Sequence, residues 1–368
     1  MKNFIIVQNS LRTVWIFRAD YIKKLVNLGR VVIIAPCDDD LAYAELLKLG
    51  VDIVDTPTPS GLIGRFYLAF HMNLSVLKYR FSSNGNTVFI VFFVSTFLLT
   101  YFSVVPFNKM HVVSVEGLGS FFSKNNFNKC LLRLLLSWSS GIKMYSNSDE
   151  LNSVGGKGGI LTNGIGVNLS DFLPLNKGKV IRKKEVNIMY VGRLIEDKGV
   201  LDVVKVFRLL FKKHSNVNCI MVGDIYPSNP TSITGEDIEK LKAEFGSRID
   251  FPGFSSDIKS WYKIADILIL PSVREGFPVC VMEANAMGLP CVGYDVPGLS
   301  DAIQNGINGH LCDFKDLNQL TLNLEFLIDQ YKNGFDSDTP SRYARENFCR
   351  DKKTKEFVNN VLSVFPTN

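Results

Sequence analysis

The stretch REGFPVCVMEANAMGLP, residues 274–290, comes one residue after ADILILPS, residues 265–272. The short run of Ile and Leu reads as a buried strand. Pro278 suits the first turn of a helix and not its interior. The pair therefore predicts a strand that turns into a helix starting near 277–278 and running to Met287. Glu275 then falls in the connecting loop, and Glu283 lies about a turn and a half into the helix. The two carboxylates stand at different depths of one cleft, not on one helical face. Gly276 and Phe277 would present backbone N–H groups to a phosphate, because a helix start carries unpaired donors. Glu283 is placed to accept hydrogen bonds from ribose hydroxyls, and Glu275 from the hydroxyls of a sugar. A role as two solvated surface charges fits poorly with their apolar neighbours.

The same rhythm extends in both directions. VNIMYVGRL, VNCIMVGD, IDFPG, DILILP and PCVGYD read as strands, separated by helical patterns over 200–214, 236–245 and 257–264. Upstream, FIIVQ, VVIIAP, VDIVDTP, TVFIVFF, HVVSVEG and GIKMYSNS alternate with helices that include AYAELLKLG and LLRLLLSW. Alternation of this kind gives parallel sheets with helices on both faces. The 368 residues exceed what one simple core organises, and the polar DFLPLNKGKVIRKKEVN reads as a linker. The expected division is a first domain over 1–170, a linker over 171–186, a second domain over 187–335 and a helical segment over 336–368. The amphipathic tail SRYARENFCRDKKTKEFVNNVLSVF is expected to pack back on one of the domains.

Residues 1–180 hold 18 Lys and Arg against 11 Asp and Glu, so this half is basic while the remainder is close to neutral. A basic half points to an anionic partner such as a membrane surface or a phosphorylated lipid; a solvated Lys-rich face is the alternative. Seven cysteines without a CxxC pair argue against a zinc site or a disulfide framework and for a reducing compartment. The opening MKNFIIVQNS is too short in apolar residues for a signal peptide and reads as a first strand. The expected address is cytoplasmic. Residues 88–107, VFIVFFVSTFLLTYFSVVPF, carry no charge and are long enough to span a bilayer. The favoured reading is a buried strand over 87–94 and a helix over 96–105, with Ser95 and Thr96 marking the junction and cap. A helix exposing Phe97, Tyr101 and Phe102 to a membrane surface is the next reading, and a true span the last.

Two further strand ends carry candidate chemistry. In VGRLIEDKG, residues 191–199, Gly192 allows close backbone approach, and Arg193 and Lys198 bracket a short loop before a helix. Arg offers a forked contact and Lys a point charge, together suited to a diphosphate. They can equally be surface cations, one of them paired with Glu196 or Asp197. In VGD, residues 222–224, Gly223 is a weaker signal that a simple turn also explains. The CDDD run over 37–40 is similar to an acidic metal motif, yet its position after VVIIAP favours a helix cap. No metal site is expected. A dehydrogenase would carry GxGxxG after its first strand, where this chain has QNSLRT.

The ordered set VGRLIEDKG, VGD, IDFPGF, ADILILPS, REGFPVCVMEANAMGLPCVGYDVPGLSDAI and NGHLC resembles glycosyltransferase family 4, the group 1 enzymes of the GT-B fold. QNSLRTVWIFRADYIKKLVNLGRVVIIAP, LLKLGVDIV and HVVSVEGLGSFF resemble the N-terminal domain of lipid-linked polysaccharide transferases of that family. The resemblance implies an α/β GT-B architecture of two Rossmann-like domains facing a central cleft, with the C-terminal helix crossing back to the first. It implies a retaining, metal-independent transfer without cofactor. The donor is a nucleotide-sugar, UDP-linked by preference and GDP-linked as the alternative, carrying a hexose or N-acetylhexosamine. The acceptor is a lipid-diphosphate-linked saccharide of bacterial O-antigen or capsule synthesis, handled by a peripheral protein on the inner face of the inner membrane. Arg193 and Lys198 would grip the donor diphosphate, Glu283 the ribose, and Glu275 would lie by the donor sugar. Many members have a Gly-Gly loop where this chain has Asn9 and Ser10, and no His stands near Ser95. Glu116, before 117–119, is the acceptor-side candidate, as a proton acceptor. A nucleotide-sugar epimerase of similar fold and a non-catalytic membrane-associated assembly protein are the competing readings.

Overall fold

The computed structural model describes residues 1–81, 86–106, 110–119, 122, 125–156, 158–174 and 180–366. The chain divides into two compact units, residues 1–165 with 351–368, and residues 166–350. The segment 336–368 is therefore shared between the two units. Residues 166–170 go with the second unit, and the expected linker lies partly outside the described residues.

In the first unit, β1 (Lys2–Val7), α1 (Leu11–Leu25), β2 (Gly29–Ala35), α2 (Asp40–Lys48), β3 (Asp52–Asp55) and α3 (Gly61–Phe81) follow one another. They continue through β4 (Thr87–Phe92), α4 (Val94–Val104), β5 (His111–Val115), α5 (Asn126–Trp138), β6 (Ile142–Tyr145), α6 (Ser148–Val154) and β7 (Ile160–Leu161). All seven strands are parallel in the order β3-β2-β1-β4-β5-β6-β7, with Ile5 of β1 opposite Val32 on one side and Phe89 on the other. Successive side chains of a strand point to opposite faces, which divides the core in two. Phe4, Ile6, Ile33 and Phe92 pack with α1, α2 and the C-terminal helix; Ile5, Val7, Val32 and Phe89 pack with α3, α4, α5 and α6.

The segment over 88–107 is a strand and a helix inside this unit, apart from Phe107, which lies outside the described residues. The junction comes two residues earlier than the sequence implies. Phe93 adopts φ 69° and reverses the chain in one residue, so the helix starts at Val94 and Ser95 falls in its first turn. Neither Ser95 nor Thr96 is the cap. Phe97 and Tyr101 are buried and only Phe102 of the three is exposed, so the helix does not present them to a membrane as a set. Among the described residues no helix is long and apolar enough to cross a membrane. The CDDD run caps a helix as expected, Asp39 accepting from Ala42 N at 2.9 Å at the start of α2, and Asp38 accepts from Arg12 N of α1 at 3.0 Å.

After β8 (Val180–Ile181), the second unit runs β9 (Val186–Val191), α7 (Val200–Lys213), β10 (Val217–Val222), α8 (Gly235–Phe245), β11 (Ile249–Gly253), α9 (Ile258–Ile264) and β12 (Ile267–Leu270). It continues with α10 (Val279–Ala286), β13 (Cys291–Tyr294), α11 (Leu299–Ala302), β14 (Gly309–Cys312), α12 (Leu317–Asn333), β15 (Phe335–Asp336) and α13 (Asp338–Asn347). Its six-stranded parallel sheet has the order β11-β10-β9-β12-β13-β14, with Ile188 opposite both Cys219 and Ile267. Lys183 reaches Asp266 at 2.6 Å, and β8 pairs antiparallel with β15, fastening the end of the linker onto this unit.

The last helix, α14 (Arg350–Leu362), anchors in the first unit through Phe357, whose ring stacks on Tyr21 at 4.1 Å and lies 5.7 Å from Phe92. Removing a buried aromatic ring costs about 3–5 kcal/mol through lost contacts and the cavity left behind. Phe357→Ala is expected to destabilise the first unit by an amount of that order, read as a lower denaturant midpoint for its unfolding transition.

Candidate functional site

Ligands of open parallel sheets sit beyond the carboxyl ends of the strands, at the point where strand order reverses. In the second unit that point lies between β9 and β12, which are the strands preceding 192–199 and 271–278. At its base Gly192 N–H donates to Val222 O at 3.0 Å, and a Cβ on Gly223 would stand 1.8 Å from Gly192 O. Glycine at 223 is thus what lets the strand-end backbones meet. Val273 N–H donates to Asp197 O at 3.0 Å, tying the loop after β9 to the loop after β12.

Lys198 and Glu275 meet across this crevice. The Lys198 Nζ lies 2.7 Å from both Glu275 oxygens, and Ser272 Oγ donates to Glu275 Oε1 at 2.7 Å. Lys198 does not pair with Glu196 or Asp197 here; its partner is the carboxylate that the sequence places beside a sugar. Arg193 is exposed, its guanidinium 5.0 Å from the Tyr226 ring centre, while Tyr190 Oη donates to Arg193 O at 2.7 Å. The backbone of the loop is therefore fixed and its guanidinium faces outward.

The helix after β12 forms as its sequence implies. Pro278 is the N-cap of α10, with extended φ and ψ and no side-chain cap. Glu275 lies three residues ahead of that cap and Glu283 five residues into the helix. Glu275 N–H donates to Pro297 O at 3.0 Å, and a Cβ on Gly298 would press on Glu275 O at 2.4 Å. The Gly276 and Phe277 backbone runs through this confined loop, and the Phe277 ring packs edge-on to Phe348 at 5.8 Å. Tyr262 Oη donates to Glu283 Oε2 at 3.0 Å. Burial pushes the Glu283 carboxyl up to about 7, against the opposing pull of the Tyr262 hydrogen bond and the Arg350 charge. Burial, with Glu275 and Glu283 nearby, also drives the Cys280 thiol far up.

Glu116 is on the other unit. It pairs with the wholly buried Arg18 through Oε2 at 2.5 Å and accepts from Ser114 Oγ at 2.8 Å. Arg18 also lies 4.0 Å over the Phe92 ring. Beside Glu116, at the order reversal between β1 and β4, a cavity of about 520 Å³ is lined by Asn9, Ser10 and Thr13 on one side and Phe93, Leu118 and Phe122 among others. The loop over 117–119 is held by Glu150, which accepts from Gly117 N–H at 2.6 Å and from Ser146 Oγ at 2.7 Å. Burial raises the Glu150 carboxyl to about 7, against those hydrogen bonds.

Sequence reasoning missed Ser272, Tyr262, Tyr226, Arg18 and Glu150. Ser272 closes the quoted ADILILPS, and Arg18 is a lone cation in the apolar run TVWIFRADYI, so both left a signal. Tyr262 and Tyr226 left none, because an aromatic on a helix or in a loop reads first as packing.

Residues 174–346, nearly the whole second unit, match the family of glycosyl transferases group 1. The N,N'-diacetylbacillosaminyl-diphospho-undecaprenol alpha-1,3-N-acetylgalactosaminyltransferase of Campylobacter jejuni is 28% identical over 239 residues, covering 59% of this chain and 61% of that one. An uncharacterized glycosyltransferase of Haemophilus influenzae is 29% identical over 189 residues, covering 50% and 51%. The chain thus spans between half and two thirds of the length of these relatives. Anabaena HepE, solved in complex with UDP-glucose, superposes with a TM-score of 0.73 at 14% identity over 99% of this chain and 100% of that one. That likeness is one of fold: the two Rossmann-like α/β units are those of GT-B glycosyltransferases.

Folded Glu283 and Glu150 bind protons more tightly than the ordinary carboxyl value of 4.5. Between there and about pH 7 the folded chain holds more protons than the unfolded one, so stability is full below this window and falls as pH rises through it. Glu283→Gln removes one such loss. Thermal melts are expected to show a larger stability gain, relative to the parent, at pH 8 than at pH 5.

Proposed function

We propose that this chain transfers a hexose or N-acetylhexosamine from a nucleotide-diphosphate sugar to a lipid-diphosphate-linked saccharide in bacterial surface polysaccharide synthesis. The single observation that carries the reading is the grouping at the second unit's order reversal. There an outward Arg193, the Lys198–Glu275 pair and the start of α10 surround one crevice, with Glu283 further along the helix. The match of this unit to glycosyl transferases group 1 supports glycosyl transfer. The Campylobacter jejuni relative acts on a diphospho-undecaprenol substrate by name, which supports a lipid-linked acceptor. The UDP-glucose bound to Anabaena HepE supports a UDP-sugar ahead of a GDP-sugar.

The chemistry follows from charge. Breaking the sugar–phosphate bond builds negative charge on the leaving diphosphate and oxocarbenium character on the sugar. Arg193 and the N–H groups at the start of α10 stabilise that charge more in the transition state than in the ground state. An ammonium has three N–H donors. Glu275 takes two from Lys198, and the third is directed to a phosphate oxygen. Glu275, held by Lys198 and Ser272, accepts a hydroxyl of the donor sugar, and Glu283 accepts those of the ribose. The leaving phosphate takes the proton of the incoming hydroxyl on the same face, so configuration is retained without a protein nucleophile. No metal or cofactor is assigned a role. The acceptor saccharide belongs to the first unit, in the cavity beside Asn9 and Glu116, with the protein working at the inner face of the inner membrane.

Arg193→Ala is expected to lower turnover by about two orders of magnitude, on the scale of losing one transition-state donor. Turnover close to the parent's sinks the assignment. A chelator is expected to leave the rate unchanged, and the product's anomeric centre to keep the donor's configuration by NMR. Conversion of donor in the absence of acceptor would instead favour an epimerase.

A further inference from the structure

The first unit carries an apolar surface that neither its core nor its cavity uses. On α3, Ile63, Phe66, Phe70 and Leu74 recur at helical spacing and are all exposed, Phe66 at 77%. They lie opposite Leu68, Met72 and Val76, which face the sheet. On α5, Phe127, Leu131, Leu134 and Trp138 repeat the pattern, Trp138 at 65%, while only Leu132 and Leu136 are buried. Both helices cover the same face of the sheet, with α4 in the same layer, and α4 adds Phe102 at 82% exposure. Large aromatic and aliphatic side chains are thus turned away from the core along one helical layer. Soluble surfaces rarely leave such a patch without use.

The charge on these two helices is one-sided. Helices α3 and α5 contain Arg65, Lys78, Arg80, Lys129 and Arg133 and not one Asp or Glu. Arg80 is turned inward to the Ser103 and Pro106 carbonyls, and Arg65, Lys78 and Arg133 are exposed beside the apolar stripe. A basic rim around aromatic and aliphatic side chains matches an anionic lipid surface, where the apolar groups enter the headgroup boundary and the cations meet phosphate. A symmetric pairing of two copies through this face would set acid-free basic helices against one another, which like-charge repulsion opposes.

We propose that the outer face of α3 and α5, with Phe102 between them, is a docking surface for an anionic phospholipid bilayer. The inference rests on the reading of a lipid-borne acceptor for its purpose, and it names the surface that brings the chain to that acceptor. It also transfers the membrane role from the 88–107 segment, whose helix is mostly buried, to two helices to which the sequence reading gave no such role.

Flotation of the full chain with vesicles tests it. The chain is expected to float with phosphatidylcholine vesicles containing phosphatidylglycerol and cardiolipin, to lose binding as salt rises, and to stay down with phosphatidylcholine alone. The combined variant Phe66→Ser, Phe70→Ser, Trp138→Ser is expected to bind at least about tenfold more weakly, with an unchanged melting temperature. Its turnover on a saccharide diphosphate bearing a short water-soluble chain is expected to match the parent's. Arg65→Gln with Arg133→Gln is expected to weaken binding to anionic vesicles alone. Parent-like flotation by the Ser variant overturns the proposal. So does a parent that sediments as a dimer while the Ser variant sediments as a monomer, since the face is then a self-interface. Flotation without any transfer in the parent leaves this surface standing and removes the proposed reaction.

Discussion

A parallel sheet can place both neighbours of its first strand only by running its connections in opposite directions, and at that reversal the flanking helices part. This constraint governs both units. It lies between β1 and β4 in the first and between β9 and β12 in the second, and each crevice holds the candidate residues of its unit. The tight backbone contacts sit there as well. Gly192 against Gly223 closes the base of one crevice, and the positive φ of Phe93 turns the chain at the rim of the other.

Within the second unit the decisive contact is the Lys198–Glu275 pair. It joins the loop after β9 to the loop after β12, and it changes what each partner does. Lys198 is part-neutralised before any ligand arrives, so Arg193 supplies most of the uncompensated positive charge. Glu275 is fixed by three hydrogen bonds, two from Lys198 and one from Ser272, which orients it as an acceptor. In the first unit the Arg18–Glu116 pair has the same logic, with a buried guanidinium fixing a largely buried carboxylate. Each site therefore keeps a carboxylate in one orientation at little further ordering cost on binding.

Much of this was legible in the chain. The alternation of apolar runs and amphipathic stretches reads as two parallel α/β units, and Pro278 places the start of α10 to within about a residue. The candidate residues of the second unit follow from their positions just beyond strands. The junction between β4 and α4 did not follow, because a non-glycine residue at positive φ leaves no mark in sequence. The pairing of Lys198 with a carboxylate 77 positions away did not follow either. The amphipathic pattern of the C-terminal segment alone suits a helix packed on either unit, and only the family resemblance pointed it to the first. Phe357 meeting Tyr21 decides it.

The sequence by itself determined the elements, their parallel arrangement, and which loops carry charge beside a strand end, because these depend on local periodicity and on residues with special backbone demands. Tertiary structure decided which charges meet and which apolar faces stay outside. Arg193 and Lys198 share one loop, and only the fold turns one to solvent and the other to Glu275. The helices α3 and α5 have the same two-sided apolar character as a buried helix, and only their place as an outer layer leaves one side uncovered. Both outcomes depend on neighbours distant in the chain, which no local pattern encodes.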